Sequence, residues 1–151
     1  MANAQAATTS FKLELLNAIH AFGVTVIRAG TGADTYKAAL YLASATINAA
    51  TTAYAVTNEV TGTGYTAGGV TVTNATVPSS SGTSAFWTPS ASFAWTTTTL
   101  STAFDCALLY NSTQSNRAVS AHTFGAQTVT AGNFTLTMPV NAAGTALIQL
   151  A

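Results

Sequence analysis

From residue 69 onwards the chain repeats one pattern: a short run rich in β-branched and aromatic residues, then a break at Gly, Pro, Asn or Ser. "GVTVTNATV" (69–77), "TSAFWT" (83–88), "SFAWTTTTL" (92–100), "FDCALLYNS" (104–112), "RAVSAHTF" (117–124), "GNFTLTMPV" (132–140) and "ALIQL" (146–150) all follow it. Runs this short make poor helices, and a branched β-carbon suits a pleated surface. "TYKAALYLAS" (35–44) adds another strand, with Tyr36, Ala38, Leu40 and Leu42 on its better-buried face. About eight short strands at this spacing predict a mainly β chain, an antiparallel β-sandwich or jelly-roll-like single domain. "NSTQSN" (111–116) reads as a hairpin loop between two of the strands.

The first third of the chain departs from this pattern. In "FKLELLNAIHAF" (11–22), Phe11, Leu15, Ile19 and Phe22 share one helical face, with Ser10 as N-cap and Gly23 as stop. A short N-terminal helix is therefore expected, with Glu14 and His20 pointing away from that face. Residues 1–10, small and polar, are expected to form a flexible arm, leaving 11–151 as one β-rich domain. "VTVIRAG" (24–30) is a further strand candidate. Residues 46–68 hold few large apolar side chains and predict a long loop, with a short helical turn near "TTAYAV".

Charge narrows the function. Only 5% of the residues are Asp, Glu, Lys or Arg, and the net charge is zero. Soluble monomers usually hold their neighbours off with surface charge, so a surface of Thr, Ser, Asn and Ala suits a protein that packs against partners. Lys12, Arg28, Lys37 and Arg117 are scattered and form no stripe for phosphates, which argues against nucleic acid as a partner. A membrane-surface helix is disfavoured for the same reason. No apolar run reaches the ~18 residues of a membrane span, and "MANAQAATTS" lacks the pattern of a secretory signal. The sequons at Asn74, Asn111 and Asn133 are expected by chance in a chain this rich in Thr.

"EVTGTGYTAGGVTV" (59–72) poses the sharpest question about chemistry. Gly62, Gly64 and Ala67 match G-x-G-x-x-G/A, the loop that cradles a dinucleotide pyrophosphate. That loop must open a helix and be followed by an acid about 20 residues later. Here a β-branched segment follows, and no acid lies between Glu59 and Asp105. The glycines are therefore expected to provide positive φ and a close backbone approach. On that reading Gly64→Val harms stability or assembly and leaves nucleotide affinity untouched.

No other constellation points to catalysis, a cofactor or a metal. Cys106 sits in an apolar run and reads as a buried small hydrophobe. His20 and His122 have no metal-ligand spacing, and His122 reads as a strand residue, inside or at an interface. The serines include no G-x-S-x-G elbow. Asp34, Glu59 and Asp105 lie in or beside predicted loops, too few for a cleft of acid–base chemistry. Trp87 and Trp95, with Phe86 and Phe93, form an aromatic cluster, read first as core and second as a sugar-stacking or interface patch.

Taken in order, "FKLELLNAIHAF", the middle stretch "YKAALYLASATINAATTAYAVTNEVTGTGYTAGGVTVT", "ALLYNSTQSNRAVSAHTFG" and "AGNFTLTMP…ALIQL" resemble a family of small tailed-bacteriophage virion structural proteins. The most specific elements are 58–69 and 108–119. "GVTVIRAGTGADT" and "PSSSGTSAFWTPSASFAWTTTT" are more apolar and less acidic than the family pattern, which favours a drier interface. The resemblance implies a particle component located in the virion. A capsid decoration (cement) protein that binds the major capsid protein, as a homo-oligomer and by analogy of role a trimer, is the leading expectation. The alternative is a tail or head-fibre component that binds glycans through Trp87 and Trp95. A small hydrolase in a β scaffold and an outer-membrane β-barrel are the remaining alternatives.

Overall fold

The computed structural model describes residues 3–8, 10–11, 15, 19–20, 22, 33–73, 76–82 and 84–150. Among these residues the strands are β1 (Ala6–Ala7), β2 (Tyr36–Leu42), β3 (Val70–Thr71), β4 (Ser79–Ser81), β5 (Ser84–Trp87), β6 (Phe93–Asn111), β7 (Arg117–Leu136) and β8 (Ile148–Leu150). They form two antiparallel sheets, one ordered β1-β7-β6-β2-β3 and the other β4-β5-β8. The protein is thus a mainly β, single small domain, as its pattern of short β-branched runs predicts.

Two strands dominate. β6 and β7 are a hairpin of 19 and 20 residues. The expected segments 92–100 and 104–112 are one strand, and 117–124 continues into 132–136. The sequence conceals this because the register slips at several points, including between Trp95 and Thr98 and between Leu100 and Phe104. A bulge shifts the alternation of side chains by a residue, so a continuous strand loses its period of two and reads as two. The hairpin loop falls where expected. Asn111 Oδ1 accepts from the Thr113 and Gln114 amides (both 3.1 Å), and Ser115 and Asn116 adopt positive φ.

The inner half of the large sheet is covered on both faces. Tyr36, Ala38, Leu40, Ala107, Leu109 and Val119 face the main core, joined there by Trp87 and Ile148 of the small sheet. Ala39, Tyr41, Cys106, Leu108 and Tyr110 face a second core closed by Ala45, Ile47 and Tyr54. The expectation that β2 has one better-buried face is therefore corrected: Ala39 and Tyr41 are as buried as Ala38 and Leu40. Double burial also explains the unbroken apolar run "CALLY", the signature of a strand with no wet face.

Other expectations are adjusted locally. The 69–77 strand shrinks to Val70–Thr71, and "PSSSG", expected as a break, supplies β4 and turns at Gly82 (φ +58°). No helical turn forms near 51–56; Ala53 bridges Arg117 and the Tyr54 amide donates to Asn116 O (2.9 Å). The strand expected over 24–30 lies outside the described residues, as does most of the helix expected over 11–22. Of that helical face, Phe11 is buried and Leu15 and Phe22 pack partly against the main core. His20, expected to point away, is also buried, with its ring 5.0 Å from that of Phe11. In the segment expected to be an arm, β1 pairs with Ser120 and Ala121 of β7. Asn3 there donates to Leu42 O (3.2 Å) and Asp105 Oδ1 (2.6 Å) and accepts from the Ile47 amide (2.8 Å).

Candidate functional site

The glycine-rich stretch is an edge seal. Its residues run along the outer side of β2 and the adjoining part of β6, where a sheet would otherwise present unpaired backbone groups. The Val72 amide donates to Tyr36 O (2.9 Å), the Val60 amide to Leu40 O (3.0 Å) and the Leu42 amide to Asn58 O (3.0 Å). Tyr65 Oη accepts from the Leu40 amide (3.0 Å), and Thr63 bridges Thr99. Contact this close leaves no room for side chains. A Cβ at Gly62 would lie 2.1 Å from Thr99 O, at Gly64 2.4 Å from Thr97 O, and at Gly69 1.9 Å from Ala38 O. Gly64 and Gly69 also have φ of +75° and +70°. Positive φ and close approach, the two roles expected of these glycines, are what the backbone uses.

Glu59 holds the seal from beneath. It is only 4% exposed, and its Oε1 accepts from Tyr65 Oη and the Gly68 amide (both 2.7 Å). Its Oε2 accepts from Tyr54 Oη (2.6 Å). Tyr110 donates to Gly68 O (2.8 Å) and Tyr41 to Ala55 O (2.6 Å), while the Tyr54 and Tyr110 rings stack at 4.7 Å. Burial, with the neighbouring Glu59 charge, pushes the Tyr41 and Tyr110 hydroxyls up to about 12. Burial and then the hydrogen bond to Glu59 raise Tyr54 and Tyr65 as well. Because these tyrosines are held neutral in the fold, their contribution is complete below the ordinary value of 10.0. It is lost as pH rises through about 12. The chain is therefore expected to unfold between these two values, with tyrosinate absorbance and loss of the β circular-dichroism signal rising together. Tyrosinate that appears near 10 while the fold persists would contradict the network.

The remaining candidates are also internal. Asp34 is buried, accepting from Asn111 Nδ2 (2.9 Å) and Gln114 Nε2 (3.3 Å). Asn111 Nδ2 lies 3.0 Å from His20 Nδ1, so the sequon asparagine is a buried hub. Asp105 is inside β6 and bonded to Asn3. Cys106 is fully buried; burial, with the Asp105 charge beside it, pushes its thiol up to about 12, which makes it inert. His122, on β7, has Nε2 2.7 Å from Ser120 Oγ, and desolvation lowers it to about 4. Trp87 and Trp95 are 2% and 3% exposed, and Trp87 Nε1 donates to Thr76 O (3.0 Å). Both are core residues here.

Three of the sequence-derived candidates, Gly62, Gly64 and Glu59, are thus brought together, whereas Asp34, Asp105, His122 and the tryptophans stay apart from them. Sequence reasoning missed Tyr41, Tyr54, Tyr65 and Tyr110; the signal was Tyr54 and Tyr65 flanking Glu59 in a loop poor in other large side chains. Two cavities flank β8: an apolar one of about 180 Å³ beside Phe11, Phe86 and Trp87, and a mixed one of about 230 Å³ beside Ser120, His122 and Gln149. Among the described residues no three His, Cys, Asp or Glu side chains gather as a metal site would require. Comparison with protein-family models, curated proteins and solved structures finds no match to this chain.

Proposed function

We propose that this chain is a structural component of a bacteriophage particle, a capsid decoration (cement) protein that binds neighbouring capsid subunits. One observation carries the reading: the carboxylates among the described residues are spent on contacts within the molecule. Asp34 and Glu59 are buried, and Asp105 is tied to Asn3. The outer half of the hairpin, in contrast, exposes Thr96, Thr97, Ser101, Thr102, Thr128 and Thr130. A hydroxyl-rich surface without charge costs little to desolvate against another protein and offers many weak hydrogen bonds, which suits a clamp on a shell. We read the two sheets as the layers of a sandwich or jelly roll. The shared core of Trp87, Ile148 and the large sheet supports that arrangement. The glycan-binding alternative has lost its platform, since Trp87 and Trp95 are buried.

Copy number tests the proposal. Particles purified from the source and quantified by mass spectrometry against the major capsid protein are expected to hold this chain at parity or at a simple fraction. A handful of copies per particle would move it to the tail or a fibre, and absence from the particle would overturn the virion reading.

A further inference from the structure

β7 places two polar side chains on the face of the large sheet that elsewhere closes the main core. Ser120 stands opposite Leu109 and His122 opposite Ala107. Directly opposed residues share a face of the sheet, and Leu109 and Ala107 belong to the main core. Ser120 and His122 therefore point inward. What they meet is the mixed cavity of about 230 Å³ between β1, β7 and β8, whose lining residues all belong to the described part of the chain. Ser120, Phe11 and Ile148 form its buried side, while Gln5 and Leu150 are exposed and mark where it opens.

The Ser120–His122 pair retains hydrogen-bonding capacity. Ser120 Oγ lies 2.7 Å from His122 Nε2. Desolvation lowers His122 to about 4, so the ring is neutral at ordinary pH. A hydroxyl and a neutral imidazole joined by one hydrogen bond keep a free donor and spare lone pairs. In either tautomer of His122, Ser120 Oγ can still accept from an incoming hydroxyl. Neither side chain has a second hydrogen-bond partner among the described residues. Polar groups on a core face are costly unless satisfied, and the cavity is the space from which their remaining partners can come.

Size and charge define the occupant. A dry cavity of about 150 Å³ holds benzene, so this one has room for a ring with a small substituent. No Asp, Glu, Lys or Arg is among the lining residues, and a charged ligand would be buried without a counterion. A sugar, with hydroxyls all round, fits as poorly. The Gln149 amide is engaged at both ends, its Oε1 accepting from the Gly144 amide (2.7 Å) and its Nε2 donating to Ser84 Oγ (3.4 Å). Apart from Gln5 at the mouth, the polar contacts on offer are gathered around Ser120, while Ala7, Phe11 and Ile148 supply apolar walls. A phenol meets both demands, since its ring packs on an aromatic wall and its hydroxyl is a good donor. We propose that this cavity binds a phenol, an uncharged aromatic ring whose hydroxyl donates to Ser120 Oγ and whose body packs against Phe11 and Ile148. The inference goes beyond the particle reading and does not depend on it.

p-Cresol and toluene, which differ by the hydroxyl alone, are the probes, titrated into the full chain and followed by NMR. p-Cresol is expected to bind about tenfold more tightly than toluene, the effect of one good hydrogen bond. The His122 ring resonance should shift saturably with p-cresol on the unaltered chain, a readout that needs no variant. Ser120→Ala is expected to bring p-cresol to the affinity of toluene, with an unchanged circular-dichroism spectrum. N-acetyltyrosinamide distinguishes the source of the phenol. Its binding as well would assign the cavity to a tyrosine side chain offered by another chain, and binding of p-cresol without it to a free molecule. The apolar cavity beside Phe86 and Trp87 is the competing location for both probes. Equal affinity for the two, a preference that survives Ser120→Ala, or a His122 resonance that does not move would each overturn the proposal. None of these results bears on copy number in the particle, so this inference and the cement reading fail separately.

Discussion

Alanine at position 69 is expected to remove a large part of the chain's stability, about 4 kcal/mol of the 5–15 typical of a domain. Two costs add. A non-glycine residue at φ +70° pays about 1 kcal/mol for the left-handed conformation alone. The new Cβ would also sit 1.9 Å from Ala38 O and 2.7 Å from Ala39 Cα, backbone atoms of a central strand that has no rotamer to change. Either β2 or the seal must move, and separation exposes the Val70–Ala38 pairing and disturbs the Gly68 amide bond to Glu59. Strain and broken bonds of that kind cost about 3 kcal/mol more. Gly82→Ala provides the comparison, since φ there is +58° but an added Cβ meets nothing. Its loss should stop at about 1 kcal/mol. Urea midpoints for the two variants, at unchanged m, separate conformation from close approach. Equal losses would mean that the stretch is not seated on β2.

The seal also shows how far the sequence could be read. Composition and turn residues were sufficient for the β class, for the hairpin loop at 111–116 and for the backbone role of Gly62 and Gly64. They could not show what the glycines approach, because Thr97, Thr99 and Ala38 are brought alongside only by tertiary pairing. The long hairpin stayed hidden for a related reason. "LSTAF" (100–104) has the small polar residues of a break, yet pairing with β7 keeps it extended while bulges absorb the change of phase. Asp34 and Glu59 illustrate a third limit. A carboxylate in a polar loop is normally solvated, and its burial becomes tolerable only when several donors converge. Tyr54, Tyr65 and the Gly68 amide are close enough in sequence to suggest this; Asn111 for Asp34 is not.

Removing the acceptors beneath the seal is expected to cost nearly as much as the clash above it. Glu59→Ala leaves the Tyr54 and Tyr65 hydroxyls and the Gly68 amide without their acceptor in a buried site, at about 4 kcal/mol. Glu59→Gln should cost only about 1 kcal/mol. Its carbonyl can take the place of Oε1, which serves both Tyr65 and the Gly68 amide, and its amide can donate to Tyr54, whose hydroxyl turns to accept. The pair therefore separates acceptor geometry from negative charge. Urea denaturation gives the two losses, and hydrogen exchange at Gly68 reports whether its amide keeps a partner. If glutamine proves as damaging as alanine, it is the charge of Glu59, and not only its acceptor geometry, that holds the loop.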